Sequence, residues 1–238
     1  MFHRIANKPT CCAIERFENQ VKLAKKTGAI LTFDDGLKEH YDIAYPILRK
    51  YDVRGYFFII TNCENEMAQA QKVWLLLSQA QELVKRFNID DEKYLPPEWY
   101  TYDSPIIANL KFYLDTHSRD LNSVFHECFD EEAEIEKMYM TWEMLREMHD
   151  NGMVIGNHTH THQMLAKLSD EEQEREIRVS TEILSRIEKP YVFAYPLNSY
   201  SSFTVALLKK YQYYWAVTAE AEDPWLLRRV DTNEFCPV

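Results

Sequence analysis

Five short apolar runs limit what this chain can fold into more than any other feature. They are AILTF (29–33), GYFFII (55–60), MVIG (153–156), YVFAYP (191–196) and YWAVT (214–218). Each is short, apolar and rich in β-branched or aromatic residues, which reads as a buried strand. Stretches of helical period lie between them. ERFENQVKLAKK (15–26) suits a short helix. In 37–52, Ile43, Ile47 and Tyr51 share a face, and Pro46 marks a kink or a break. Thr141 caps a helix that turns Trp142, Leu145 and Met148 inward and stops at Asn151-Gly152. Ser169-Asp170-Glu171-Glu172 is a capping box opening a helix to about Glu188, with Ile177, Leu184 and Ile187 on its inner face. A further helix falls near 203–210. Strand–helix–strand alternation implies parallel strands joined by crossover helices, hence an α/β protein, either barrel or open sheet.

The alternation stops between residues 62 and 137. ENEMAQAQKVWLLLSQAQELVKRF (64–87) reads as one long helix, shorter helical stretches follow to about Phe129, and DEEAEIEK (130–137) reads as a solvated helix or loop face. The expectation is a single domain over 1–238 with a helical insertion at 62–137. A segment leaving the C-terminal end of a barrel strand borders the site formed there.

At 238 residues, one large domain or one domain with an insertion fits. A net charge of −11 leaves no basic footprint for nucleic acid. The five cysteines, at 11, 12, 63, 128 and 236, are odd in number and lack CxxC spacing, which argues against a disulfide framework or zinc ribbon. MFHRIANKPTCCAI lacks the apolar region of a signal peptide, and no run approaches the roughly 18 apolar residues of a membrane span. The expected location is the cytoplasm.

Two polar clusters follow expected strands, where α/β folds place their sites. In Thr32-Phe33-Asp34-Asp35-Gly36, adjacent carboxylates repel, so a buried pair needs a cation or a shared proton. The plain alternative is an Asx turn that Gly36 permits. In His158-Thr159-His160-Thr161-His162, histidines at i and i+4 meet on one helical turn, whereas an extended segment would put all three on one face. Two imidazoles and a carboxylate suit zinc or another first-row divalent metal, with a position left for water and substrate. Trp74, Trp99 and Trp225 could stack on a sugar, though core packing accounts for them as well.

TFDDG together with GNHTHTH resembles the NodB-homology domain of polysaccharide deacetylases, carbohydrate esterase family 4. DGLKEHYDIAYPILRKYDVRGYFFI and FAYPLNSYSSFTVALLKKY resemble further family segments, and MFHRI resembles the family's opening strand. The likeness spans nearly the whole chain except the helical insertion, and it implies a distorted (β/α) barrel, often of seven strands. It implies one divalent metal held by Asp35, His158 and His162, with Asp34 as catalytic base and a backbone N–H near Tyr195 as oxyanion donor. The implied reaction is hydrolysis of an N-acyl group, in the first place N-acetyl, from a sugar. With a cytoplasmic location, the sugar would be nucleotide- or lipid-linked.

Three positions depart from the family pattern. Ala194 stands where an Arg commonly precedes the aromatic–Pro pair, here Tyr195-Pro196. Asn198 replaces a common Gly. No histidine follows His162, so the family's late proton-donating His has no counterpart. Arg228 or Arg229 could replace the missing Arg, and His160 or Asp34 could supply the missing acid. Two other readings stay open: a catalytically impaired carbohydrate-binding or scaffolding module, and a metal-dependent amidohydrolase acting on a non-sugar amide.

Overall fold

The computed structural model describes residues 5, 13–90, 92, 104–218 and 226–229. The apolar runs become parallel strands: β1 (Leu31–Phe33), β2 (Gly55–Ile59), β3 (Val154–Asn157), β4 (Val192–Ala194) and β5 (Trp215–Thr218). A sixth, β6 (Leu226–Arg228), was not expected from sequence; with only three residues, two of them exposed, it carries little apolar signal. Spatial order equals chain order, β1 to β6, and every pairing is parallel. A doubly wound sheet reverses direction part-way, whereas this one never does, so the strands wind as in a (β/α) barrel. The sheet curls into a half-barrel with helices around it, the expected NodB type.

The helices are α1 (Ile14–Thr27), α2 (Tyr45–Lys50), α3 (Gln69–Leu76), α4 (Ala80–Arg86), α5 (Pro105–Thr116), α6 (Ser118–Cys128), α7 (Glu131–Met138), α8 (Trp142–Asp150), α9 (Asp170–Leu184) and α10 (Ser202–Lys210). Pro46 sits in the first turn of α2, just after one π-helical turn, His40–Ala44, in which the Tyr45 N–H reaches back to the His40 carbonyl. A proline cannot donate to its i−4 carbonyl and crowds it, and a widened turn accommodates both effects. Thr141 Oγ accepts from the Met144 N–H, and Ser169 and Glu172 complete the capping box of α9.

The chain divides into two compact units, Met1–Glu64 with Glu136–Val238, and Asn65–Ile135. In the first, alternate strand residues face opposite ways and both faces are buried, which is why the strands read as unbroken apolar runs. Phe33, Phe57, Ile59 and Ile155 pack on Phe17 and Val21 of α1, Leu48 of α2 and Leu145 and Met148 of α8. Phe193, Tyr195 and Ala216 pack on Ile177 of α9 and Leu207 and Leu208 of α10. Phe58, Val154, Val192, Ala194 and Val217 fill the opposite face. Ile5 is fully buried and its N–H donates to Glu39 Oε1 at 2.6 Å; the rest of MFHRI lies outside the described residues.

The second unit holds only helices among its described residues. The long helix expected over 64–87 is broken by a 3₁₀ turn at Leu77–Gln79, where Ser78 Oγ bonds the Leu75 carbonyl at 2.8 Å. Such side-chain bonds compete with the helical ladder. The acidic run is not uniformly solvated: Glu131 accepts from the Met67 N–H at 2.8 Å and pairs with buried Lys72 at 2.9 Å. Trp74 is half-buried, while Trp99 and Trp225 lie outside the described residues.

Gly156 pairs with Phe58 across β2 and β3, and a Cβ there would sit 2.6 Å from the Phe58 ring and 2.9 Å from Val192 Cγ2. Gly156→Ala should therefore cost about 1–3 kcal/mol by overpacking, read as a lower urea midpoint at unchanged slope. A wild-type midpoint would show that this face is loosely packed.

Candidate functional site

The polar clusters follow the C-terminal ends of β1 and β3, with Arg229 just past β6. After Phe33 the chain turns through two successive left-handed residues, Asp35 (φ 75°) and Gly36 (φ 73°). Aspartate tolerates this region better than most residues and glycine freely, which explains the residue order. The Asp34 and Asp35 carboxylates both lie near His158 but otherwise meet different partners.

Asp35 Oδ1 lies 3.3 Å from His162 Nε2 and 3.5 Å from His158 Nε2. The His158 ring bonds the Ala194 carbonyl through Nδ1 at 2.8 Å, and because a carbonyl only accepts, that nitrogen carries the proton. In the neutral ring Nε2 then offers a lone pair beside Asp35. Burial alone pushes the His158 pKa down, but Asp34 and Asp35 outweigh it and hold it above the usual histidine range.

Asp35, His158 and His162 each offer one ligand atom, all within 4.8 Å of one another. Charge-assisted hydrogen bonds run shorter, about 2.7–2.9 Å. A tetrahedral zinc with bonds of about 2.0–2.2 Å separates its ligand atoms by roughly 3.3–3.6 Å, the spacing seen here on both sides of Asp35. A backbone carbonyl fixing the far nitrogen of one imidazole is the usual support of a metal-binding histidine. The residues fit a divalent metal.

The histidines do not meet on a helical turn. Thr159 (φ 68°) and His162 (φ 61°) lie in the left-handed region, so His158–His162 is a loop. It is railed by the chain beyond β2, with the His158 N–H donating to the Ile59 carbonyl, Thr61 N–H to Thr159, and Asn62 N–H to His160. Asn157 Oδ1 accepts from the Thr159 N–H at 2.7 Å, and Thr159 Oγ1 accepts from the His162 N–H at 3.0 Å. Asn157 Nδ2 donates to Ser180 of α9 at 2.8 Å and to Tyr213 at 2.6 Å. Sequence reasoning missed this support. The available signal was the run of polar residues, Gln173, Glu176, Ser180 and Thr181, on the buried face of α9.

Arg229 forks onto Asp34, Nη1 to Oδ1 at 2.6 Å and Nη2 to Oδ2 at 2.5 Å, with side chains 8% and 2% exposed. Its guanidinium lies 5.7 Å from the Phe58 ring centre. Of the two adjacent arginines, Arg229 pairs with Asp34, whereas Arg228 is exposed. His160 Nδ1 stands 2.9 Å from Thr61 Oγ1, outside the three-residue group, and burial chiefly lowers its pKa. Tyr195 is buried against Tyr200, and its N–H runs to the Val217 carbonyl at 3.4 Å. Asn198 has φ 53°, a conformation that asparagine tolerates in place of glycine.

Fold and site define the class: a parallel β/α half-barrel with an Asp–His–His group and a second, arginine-clamped Asp beyond its strand ends. Residues 22–92 and 109–216 match the polysaccharide deacetylase family, and the chain belongs to it. Both matched stretches reach into the helical unit. IcaB from Ammonifex degensii is similar at 16% identity and TM-score 0.61, over 98% of this chain and 91% of that one. The deacetylase PplD from Streptococcus pyogenes, in complex with acetate, is similar at 18% and 0.56, over 92% and 81%. A polysaccharide deacetylase from Bacillus cereus is similar at 19% and 0.57, over 97% and 62%. At these identities the likeness shows the shared fold. A comparison with curated proteins gave no match.

Removing one member of a buried ion pair strands the other charge, at about 3–5 kcal/mol. Arg229→Met should destabilise the metal-free protein on that scale. Combined with Asp34→Asn it should cost less than the sum of the single changes, as read by urea unfolding. Additive costs would show that the pair is not coupled.

Proposed function

We propose that the chain is a metal-dependent hydrolase that removes an N-acyl group, in the first place N-acetyl, from a sugar. The observation that carries this reading is the Asp35–His158–His162 group beside an independently held carboxylate, Asp34. Asp34 Oδ2 lies 4.0 Å from His158 Nε2. A divalent metal there, zinc before other first-row ions, would polarise the amide carbonyl and make a water more acidic.

Asp34 serves as the base that takes the proton from the attacking water. Arg229 fixes both its oxygens, which limits how far the carboxylate swings between steps. The amine leaves well only when protonated. With no histidine after His162, the protonated Asp34 is the donor that needs no second group. His160 is already engaged with Thr61. The same missing histidine favours a second reading, a member that keeps the metal and binds sugar without turnover.

Acetate release from N-acetylated oligosaccharides and from nucleotide- and lipid-linked N-acetyl sugars separates the two. The metal-loaded wild type should release acetate from at least one substrate. Asp34→Asn should keep its metal and lose about 10²-fold or more in turnover. Bound sugar with no acetate from any substrate would favour the non-catalytic reading. In a separate metal analysis, His158→Ala and His162→Ala should each lose most of the ion. Stoichiometric metal in both variants would show that the site is wrongly assigned.

A further inference from the structure

We propose that Glu176 is the positioning residue that holds the loop between the two histidines in its metal-binding shape. The inference rests on the metal reading above and concerns a residue outside the three ligands.

Glu176 lies on the buried face of α9, 7% exposed, one turn from Ser180. Its Oε2 accepts from the His160 N–H at 2.9 Å and from the Thr161 N–H at 2.8 Å. Its Oε1 accepts from the Thr161 hydroxyl at 2.7 Å. Residues 160 and 161 stand inside the loop whose outer members are His158 and His162. One carboxylate thus gathers three donors from the segment that sets the spacing of the two imidazoles.

The loop does not favour this shape by itself. Thr159 is β-branched and left-handed, a costly backbone state for such a residue, and His162 is left-handed as well. The internal bonds through Asn157 and Thr159 tie the two ends of the loop but leave the N–H groups of residues 160 and 161 to be satisfied from outside. Glu176 satisfies both with charge-assisted bonds, which are about twice as strong as neutral ones. The clamp is anchored, because α9 is joined to β3 through Asn157 and Ser180. The charge is what a glutamine would lose: it could keep its oxygen on the two backbone N–H groups and turn its NH₂ to the Thr161 hydroxyl, which also accepts, but with neutral and weaker bonds.

The test is metal affinity and ligand geometry, measured with zinc and with cobalt, whose visible absorption reports the coordination. Glu176→Gln should weaken zinc binding about 10- to 100-fold and change the cobalt spectrum, while the metal-free protein melts close to wild type. Glu176→Asp keeps the charge but withdraws it by one methylene, and should weaken binding about tenfold or more. It decides the matter if the glutamine variant does not fold. Glu182→Gln, an exposed change on the same helix, should bind as wild type. Wild-type affinity and spectrum in the Glu176 variants would overturn the clamp while leaving the metal site standing. A wild-type chain that takes up no metal would remove the metal reading, and the clamp's role with it.

Discussion

Two carboxylates on consecutive residues, both almost sealed from water, repel each other and lose their hydration unless each meets positive charge. Asp34 and Asp35 are 1% and 4% exposed, and the surrounding structure answers that constraint. Asp34 meets the fork of Arg229, from 195 residues away in sequence. Asp35 meets two imidazoles, one with its far nitrogen fixed on a carbonyl, an arrangement that a divalent cation would complete. The two acids are told apart by their partners, Asp34 on the guanidinium and Asp35 beside the two imidazoles.

Bringing those partners together draws on most of the barrel. β1 delivers the carboxylates, β3 the first histidine, β4 the carbonyl behind it, and the residue after β6 the guanidinium. Left-handed residues gather at the same end: Asp35, Thr159, His162, Leu197 and Asn198. Strain of this kind, on the order of 1–3 kcal/mol per residue, persists only where neighbours over-determine it. Here Asn157, Thr159, Thr61 and Glu176 do so, with hydrogen bonds running to the sheet on one side and α9 on the other.

The strands β1 to β5 were legible because each is buried on both faces and so reads as a pure apolar run. The α9 capping box and the Thr141 cap were legible because they are local. The pairing of TFDDG with GNHTHTH pointed to the three clustered residues, but neither geometry open to the histidines, a helical turn or an extended run, is the one adopted. An i, i+4 spacing suggests a helical turn, whereas positive φ at Thr159 and His162 makes a loop with a similar meeting of rings. β6 is too short and too exposed to announce itself. Arg229 was one of two adjacent arginines, and only the three-dimensional register of β5 and β6 selects it over Arg228. Glu176 was hidden because an acidic residue in an amphipathic helix ordinarily faces water, and nothing local shows that its target is a loop 15 residues away.

We propose that Asp35, His158 and His162 hold one divalent ion while Arg229 keeps Asp34 out of the ligand set. Anomalous diffraction at the zinc edge from crystals grown with zinc tests it most directly. A single strong peak is expected about 2.0–2.2 Å from Asp35 Oδ1 and from both histidine Nε2 atoms, with the Arg229–Asp34 fork intact. A peak ligated by Asp34 with Arg229 displaced, or no peak among these residues in zinc-saturated crystals, would contradict it.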